Sequence, residues 1–296
     1  MTFDRLGRVG VWSGALKRLP TPQAITLAAE YEDLGFRSLW LPESPGGKDV
    51  LTFAAVMLGA TRDLAVATGI AIIWVRDPVA MMNASRTLAD AFPKRFVLGL
   101  GVSHESTALM RGHAYRRPLS MMRSYLEGMD AAPFDGHPPD HPAPRVLAAL
   151  GPKMTALAGE MADGIHPFLS TPEHVSAARE ILGPDKFIGA EQAVVLTTDA
   201  ESARTAARKN LSRFLAWPNY MNHLKRTGFD EEELANGGSD RLIDRLYAWG
   251  DEAKIRQGVR RHLAAGADHV CLQIVPVGNR GEAETVRALA PAVLDL

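Results

Sequence analysis

The stretch RFVLGLGVSHE, residues 95–105, has the pattern of a buried strand that ends at an active site. Its first half is an unbroken apolar run, which is typical of a strand covered on both faces of a parallel sheet. Gly99 and Gly101 carry no side chains, so a flat ligand can approach the backbone closely there. Ser103, His104 and Glu105 then present a hydroxyl, an imidazole and a carboxylate at the end where α/β enzymes place their chemistry. The stretch therefore predicts the floor and the rim of an active site.

The order helix, glycine, strand recurs along the chain. A glycine follows the predicted helix and precedes an apolar run at Gly35, Gly164 and Gly266, and glycine readily adopts the left-handed conformation just past a helix. Helix starts are predicted where an N-cap residue precedes proline, at Thr21-Pro22, Asp77-Pro78 and Thr171-Pro172. This alternation predicts right-handed βαβ units and a parallel sheet.

Eight apolar runs are candidate strands. They are residues 7–12, 37–41, 65–72, 95–101, 145–150, 164–168, 187–196 and 269–275. Eight strands with helices between most of them favour an α/β fold of the (β/α)8 TIM-barrel type over an open, doubly wound sheet. Barrels of this kind reach the length of this chain as one domain, so we expect residues 1–296 to form a single barrel domain.

Two segments interrupt this pattern. Residues 132–144 are so rich in proline that they predict an irregular loop. Residues 214–250 are longer than a βα connection needs and contain five aromatic residues: Trp217, Tyr220, Phe229, Tyr247 and Trp249. Such an insertion can cover a pocket, form a subunit contact or add a plain helical layer, and the sequence alone leaves these alternatives open.

The composition excludes several classes of protein. A net charge of -1, with no run of basic residues, gives no electrostatic footprint for nucleic acid. The single cysteine, Cys271, excludes an internal disulfide and any multi-cysteine metal site, and it lies in an apolar run that predicts a buried thiol. No metalloprotease, P-loop or nucleophile-elbow motif is present, and we expect no metal site. Without a leader or a long apolar run, we expect a cytoplasmic protein that does not bind membranes.

Seven motifs in order give the chain a family resemblance from end to end. It resembles the bacterial luciferase-like superfamily, specifically its actinobacterial coenzyme F420-dependent oxidoreductases. The motifs are GFRSLWLPE (35–43), ATGIA (67–71), RDP (76–78), FPKRFVLGLGVSH (92–104), VLAALGPKM (146–154), ADGIHP (162–167) and GADHVC (266–271). The resemblance implies a TIM barrel, usually a homodimer, with a deazaflavin or flavin at the C-terminal ends of its strands.

The resemblance also implies site residues. In these barrels the third strand has a bulge with a non-prolyl cis peptide that backs the cofactor ring, and the matching bond is Gly69–Ile70. The other reading is that Gly69 only relieves crowding in a strand. Glu43 matches the family's acidic position. Ser44 stands where many relatives carry a catalytic histidine, and this departure leaves His104 as the best histidine candidate beside the ring.

Two histidines and one turn complete the candidate site. His104 and His166 each follow or end a predicted strand, and either can polarise a carbonyl or supply a proton. The alternative for His104 is a solvated loop residue, and the alternative for His166 is a residue that only packs at a strand end. Glu105 either orients His104 or lies in solvent. The turn Gly151-Pro152-Lys153-Met154 opens a helix whose free N–H groups suit the cofactor's phosphate. Ordinary helix capping is the other reading of that turn.

Together these features predict hydride transfer between coenzyme F420 and a small organic substrate. His104 and Glu43 would lie on the substrate side. The ring would be bounded by Gly69, Ile70, Gly99 and Gly101, with His166 near it, and the phosphate end by Gly151, Pro152, Lys153 and Met154. One alternative is an FMN-dependent monooxygenase, since both rings occupy one kind of pocket. A second is a non-catalytic flavin- or deazaflavin-binding barrel, which Ser44 keeps open.

Overall fold

Parallel strands close into an eight-stranded barrel in the computed structural model, which describes residues 3–296. The strands are β1 (Val9–Trp12), β2 (Ser38–Leu41), β3 (Ala65–Thr68), β4 (Ala71–Ile72), β5 (Phe96–Gly101), β6 (Arg145–Leu147), β7 (Gly164–Ile165), β8 (Phe187–Leu196), β9 (Tyr247–Gly250) and β10 (His269–Ile274). Around the barrel the order is β1, β2, β3, β5, β6, β7, β8 and β10, and β10 closes it by pairing with β1. The predicted (β/α)8 TIM barrel is therefore confirmed.

Two differences from the predicted strands have local causes. The predicted strand 65–72 is divided at Gly69–Ile70 into β3 and β4, and both parts pair with β5. The unpredicted strand β9 pairs with the C-terminal half of β8. Its sequence, YAWG, is too short to stand out from the surrounding helical insertion. The runs 145–150 and 164–168 are strands only in part, because residues 148–150 and 166–168 have no regular secondary structure.

Thirteen α-helices surround and extend the barrel in the described part of the chain. They are α1 (Thr21–Asp33), α2 (Val50–Ala60), α3 (Pro78–Ala91), α4 (Glu105–Met110), α5 (Pro118–Asp130), α6 (Pro152–Met161), α7 (Pro172–Leu182), α8 (Ala200–Leu215), α9 (Pro218–Arg226), α10 (Glu231–Leu234), α11 (Asp240–Leu246), α12 (Glu252–Ala264) and α13 (Glu282–Val293). Short 3-10 helices lie at Phe3–Leu6, Leu16–Arg18 and Ala235–Gly237. None of the helices within residues 3–296 is long and apolar enough to cross a membrane.

The predicted helix starts at Asp77 and Thr171 are confirmed by their capping bonds. The Asp77 side chain accepts a hydrogen bond from the backbone N–H of Ala80, and the Thr171 hydroxyl accepts one from that of His174. The third prediction was wrong in detail. Thr21 is the first helical residue of α1, and the N-cap position is held by Pro20, which makes no side-chain bond.

The two interrupting segments differ from each other in structure. Residues 132–144 contain neither helix nor strand, as the proline content predicts. The insertion 214–250 holds the end of α8, the helices α9 to α11 and strand β9. Its apolar residues form a second hydrophobic cluster outside the barrel, which includes the buried side chains of Phe214, Tyr220, Phe229 and Tyr247. The insertion is thus an added helical layer, and its first part also reaches the cavity.

Side chains fill the barrel interior, as they do in other TIM barrels. The interior cluster includes Trp12, Trp40, Val97 and Phe187, together with the single thiol, that of Cys271, which is buried as predicted. The barrel is therefore closed below. The largest space for a ligand in the described part of the chain lies at the C-terminal ends of the strands.

Candidate active site

A cavity of about 1390 Å³ opens at the C-terminal ends of the barrel strands. It lies where TIM-barrel enzymes carry their active sites. Its walls come from loops after the barrel strands and from the α8–α9 region of the insertion. Seven of the predicted site residues line it: Glu43, Gly69, Ile70, His104, Gly151, Met154 and His166. The remaining predicted residues, Gly99, Gly101, Pro152 and Lys153, are not part of its lining.

The bulge between β3 and β4 forms part of the cavity floor. The Gly69–Ile70 peptide bond is cis. The Trp12 indole donates a hydrogen bond to the carbonyl of Gly69, at 3.1 Å, and the N–H of Gly69 donates to the carbonyl of Leu41, at 2.8 Å. The backbone of the bulge is thus held by the neighbouring strand β2 and by a side chain from β1.

Gly99 and Gly101 support the bulge from behind. A Cβ atom on Gly99 would lie 2.0 Å from the backbone carbonyl oxygen of Thr68, and one on Gly101 would lie 2.6 Å from Cδ1 of Ile70. The Thr68 hydroxyl also bonds to both backbone groups of Gly99, at 2.7 and 2.8 Å. The two glycines therefore do not touch the cavity themselves. Their absent side chains allow Ile70 and the β3 backbone to sit where they do.

The Glu43 carboxylate holds the bulge in place through hydrogen bonds. It accepts hydrogen bonds from the backbone N–H of Ile72, at 2.7 Å, and from the guanidinium of Arg76, at 2.8 and 3.2 Å. Arg76 also pairs with Asp49. The Glu43 side chain is only 4% exposed. This geometry makes Glu43 a residue that fixes the bulge, since both of its oxygens already have partners.

His166 presents an unpaired nitrogen toward the bulge. Its Nδ1 lies 2.7 Å from the carbonyl oxygen of Gly189, and because a carbonyl only accepts, Nδ1 carries the proton. Nε2 is buried, has no hydrogen-bond partner among the described residues, and lies 3.2 Å from the position that a Cβ on Gly69 would take. Burial lowers the pKa of His166 to about 4, and its ring stacks on Trp40. His166 is therefore a neutral hydrogen-bond acceptor at pH 7 and holds no second proton to supply.

His104 is held by the insertion. Its Nδ1 lies 3.1 Å from Oδ1 of Asn219, and its ring stacks on Trp217 with the centroids 3.8 Å apart. Burial lowers the pKa of His104, and the hydrogen bond to Asn219 opposes this in part. Nε2 has no hydrogen-bond partner among residues 3–296. Glu105 is exposed and makes no bond to His104, so the solvent alternative describes it.

The turn after β6 forms the other end of the cavity. Gly151 is the N-cap of α6 and makes no side-chain capping bond. The guanidinium of Arg226, from the end of α9, lies 3.5 Å from the position that a Cβ on Gly151 would take, and it donates to the carbonyl of Leu150. Pro152 and Lys153 are exposed outside the cavity. The basic side chain at this helix end is thus Arg226 rather than the expected Lys153.

A sequence profile of the family described as luciferase-like monooxygenase matches residues 6–269. The chain belongs to this family. Among its curated relatives, a putative coenzyme F420-dependent oxidoreductase of Mycobacterium tuberculosis is 26% identical, and the match covers 97% of this chain and 99% of that protein.

Solved structures of the same fold include proteins described with either cofactor. The coenzyme F420-dependent tetrahydromethanopterin reductase of Methanopyrus kandleri superposes with a TM-score of 0.78 at 17% identity, covering 98% of this chain and 99% of that one. The oxygenating constituent of 3,6-diketocamphane monooxygenase from Pseudomonas putida, in complex with FMN, gives 0.71 at 13% identity, covering 97% and 99%. At these identities the likeness shows the fold.

The cavity of this luciferase-like chain suits a flat ring joined to a phosphate. The floor contains the apolar side chain of Ile70 and one hydrogen-bond acceptor that has no partner among the described residues, Nε2 of His166. The far end offers the uncapped start of α6 and the guanidinium of Arg226, and free N–H groups at a helix start favour an anion. Ser44, at the position where many luciferase-like relatives carry histidine, also lines the cavity. These residues fit a deazaflavin or a flavin mononucleotide.

Sequence reasoning missed the residues that the insertion contributes. Asn219, Trp217 and Arg226 act on His104 and on the α6 start from more than 70 positions away in the chain. The aromatic content of the insertion was the only sequence signal for them. It indicated that the segment can cover a pocket, but it did not indicate which strand ends the segment reaches.

Proposed function

We propose that this chain is a coenzyme F420-dependent oxidoreductase that transfers a hydride between the deazaflavin and a small organic substrate. The observation that carries the proposal is one cavity that joins the Gly69–Ile70 bulge to the uncapped start of α6. The F420-dependent relatives support the cofactor, since the match to the mycobacterial protein spans nearly all of both chains. When bound, the deazaflavin supplies two-electron hydride chemistry.

The chain's own residues then bind the cofactor, orient its ring and shield it from water. Ile70 and the bulge back one face of the ring, and Nε2 of His166 accepts a hydrogen bond from an N–H or O–H group of the cofactor. The start of α6 and Arg226 hold the phosphate. Glu43 acts indirectly, because it fixes the bulge through Ile72 and Arg76.

His104 is the proposed catalytic base on the substrate side. Its lowered pKa keeps the imidazole neutral at pH 7, and Nε2 has no partner among the described residues. A neutral imidazole with a free nitrogen accepts a proton from a substrate hydroxyl as the carbon beside it gives up a hydride. The proton then rests on Nε2, while Asn219 keeps the ring oriented through Nδ1.

Parallel titration of the purified protein with F420 and with FMN tests the cofactor. We expect micromolar or tighter binding of F420 and much weaker binding of FMN, measured by fluorescence quenching or calorimetry. Arg226→Gln should weaken F420 binding about tenfold, because it removes a charge-assisted contact with the phosphate. Arg260→Gln, on the exposed side of α12, is the matched control.

Three outcomes contradict the proposal in different ways. A preference for FMN, with oxygen consumption, replaces it with a flavin-dependent monooxygenase. Binding of F420 with no reduction or oxidation of the deazaflavin by any small alcohol or carbonyl compound leaves a non-catalytic binding barrel. If neither cofactor binds, the assignment of the bulge and the α6 start is wrong and only the barrel stands.

We also propose that two copies of this 32.1-kDa chain form a homodimer, as the family resemblance implies. Val79 on α3 and Met121 on α5 are exposed large apolar side chains on two helices that pack against each other, which supports a contact face there. Sedimentation equilibrium measures the mass, and a monomer at micromolar concentration would contradict the proposal.

A further inference from the structure

One rim of the cavity carries positive charge that the protein leaves unpaired. Lys17 lies in the 3-10 helix after β1, while Lys209 and Arg213 lie one turn apart on α8 and face the same cavity. We call these three residues the rim cations. None of their charged groups takes part in an ion pair or a hydrogen bond with any residue of 3–296. By contrast, Arg204 and Arg208 on the same helix are paired with aspartates.

The acidic groups near the rim do not neutralise these cations. Glu282 lines the cavity, but its carboxylate accepts hydrogen bonds from Ser13 and from the Tyr31 hydroxyl, and burial raises its pKa. The positive charge that acts on Glu282 is that of Arg18. Glu201 lies at the start of α8, and Lys209 and Arg213 lie two and three turns further along that helix. The rim therefore keeps an excess of positive charge.

Two of the rim cations, Lys17 and Arg213, repel each other, and an anion between them would relieve this. Partial loss of water contact lowers the pKa of Lys17, and the nearby charges of Arg18 and Arg213 lower it further. The pKa of Arg213 is lowered by the same loss of water, and Arg18 adds to this. The Arg213 guanidinium lies 4.7 Å from the centre of the Phe214 ring. Charge and apolar surface are thus adjacent.

The strand order separates this rim from the proposed phosphate end of the cofactor. Lys17 follows β1, whereas the α6 start follows β6, and three strands lie between β1 and β6 in either direction around the barrel. Lys17 therefore lies across the cavity mouth from the α6 start, and Arg213, whose charge acts on Lys17, lies near it. The bulge that would back the ring lies after β3, between them.

We infer that the rim cations form a subsite for an anionic group, a carboxylate or a phosphate, on the substrate. The inference rests on the proposed function for the hydride chemistry, but not for the binding of the anion itself. The substrate class that fits is a small organic anion. Its apolar part would pack on Phe214 and Trp217, and its charged group would contact Lys17 and Arg213.

Benzoate is the first probe, because it joins a carboxylate to a flat apolar ring, and benzamide is its uncharged match. Binding to the F420-saturated protein is followed by tryptophan fluorescence, since Trp12 and Trp217 line the cavity. We expect benzoate to bind at least tenfold more tightly than benzamide. Inorganic phosphate is used as a competitor to distinguish a phosphate subsite from a carboxylate subsite. Binding of either benzoate or phosphate at this site supports the inference.

The double variant Lys17→Gln/Arg213→Gln tests the residues, and Arg260→Gln is the matched control. We expect the double variant to lose at least tenfold in benzoate affinity while it keeps its affinity for benzamide and for F420. Unchanged F420 affinity also shows that the variant is folded. Arg213→Lys should restore most of the benzoate affinity.

Two results would overturn the inference. In the first, wild-type protein binds benzoate no better than benzamide and does not bind inorganic phosphate. In the second, the double variant loses F420 affinity as strongly as benzoate affinity, because the rim cations would then hold the acidic tail of the cofactor. If wild-type protein fails to bind F420, the proposed function falls, and the same anion titration on the protein without cofactor still decides the inference.

Discussion

The barrel floor, formed by Gly69, Ile70, Gly99 and His166, is held by bonds to the backbone of neighbouring strands, such as the bond from His166 to Gly189. The insertion wall, formed by Trp217, Asn219 and Arg226 together with Arg213 at the adjoining end of α8, reaches the cavity through side-chain contacts with His104 and Leu150. Changes in the wall therefore leave the barrel hydrogen bonds intact, whereas changes in the floor do not. This difference suits the proposed function, in which the floor backs the cofactor ring, Trp217 and Asn219 of the wall lie on the substrate side, and Arg226 contacts the cofactor's phosphate.

The largest predicted effect is a loss of stability in mild acid, and it involves both regions. Burial lowers the pKa to about 4 for His166 and His269 in the barrel, and to about 4 and about 3 for His174 and His223 beneath the wall. His262 on α12, also with a pKa of about 4, is the fifth such residue. Between pH 6.5 and about pH 4 these histidines stay neutral in the folded chain, while those of the unfolded chain take up protons. The stability they provide is therefore present above pH 6.5 and is lost as the pH falls.

Each such histidine lowers the free energy of unfolding by about 1.4 kcal/mol per pH unit below pH 6.5. Glu191, whose pKa burial raises to about 8, and Glu282 oppose this, because they hold protons in the folded chain. We expect a net loss of about 4 kcal/mol between pH 6.5 and pH 5, measured by urea unfolding. His223→Gln should reduce the slope, and His137→Gln, at an exposed site, should keep it. A flat profile would show that the histidines are not neutral in the fold.

The next largest predicted effect is a loss of stability that comes from the barrel floor alone. Gly99→Ala places a Cβ 2.0 Å from the Thr68 carbonyl oxygen, so β3 or β5 must shift. We expect a loss of about 3 kcal/mol in the free energy of unfolding and loss of F420 binding. Gly159→Ala, on α6, is the control, because its Cβ would lie 3.4 Å from Leu182, an ordinary contact. That variant should change stability by less than about 1 kcal/mol. Equal effects of the two substitutions would mean that Gly99 is not tightly packed.

Local sequence patterns predicted the barrel floor because its partners are neighbours in the sheet. Apolar runs and helix-ending glycines located the strands, and the strand ends then brought residues 95–105 and the β3 segment to one edge. The Gly69–Ile70 cis bond came from the family resemblance, since no local pattern distinguishes it from a strand glycine. The role of Glu43 could not be predicted because its partner, Arg76, lies 33 residues away. A carboxylate at a strand end is equally consistent with a catalytic acid and with a residue that fixes the backbone.

The insertion wall could not be predicted in the same way. Asn219 is 115 residues from His104, and nothing in the local sequence of either residue indicates the other. The rim cations are a further case, because Lys17 and Arg213 look like ordinary surface charges until the fold brings them to one cavity. The assignments of His104, His166 and the α6 turn to substrate and cofactor remain predictions, as does the single domain.

The smallest effect changes the wall and leaves the floor as it is. Asn219→Ala removes the hydrogen bond that raises the pKa of His104, since the charged imidazole donates more strongly than the neutral one. We expect the pKa of His104 to fall by less than about one unit, measured by NMR of the imidazole signals, while F420 affinity stays unchanged. Asn222→Ala is the control, because Asn222 lies on the same helix and also lines the cavity but makes no hydrogen bond to His104. If His104 is the base, the acidic limb of the pH–rate profile must move with its pKa. A limb that stays in place while the NMR pKa moves would assign the proton transfer to another group and would reduce His104 to a positioning residue of the wall.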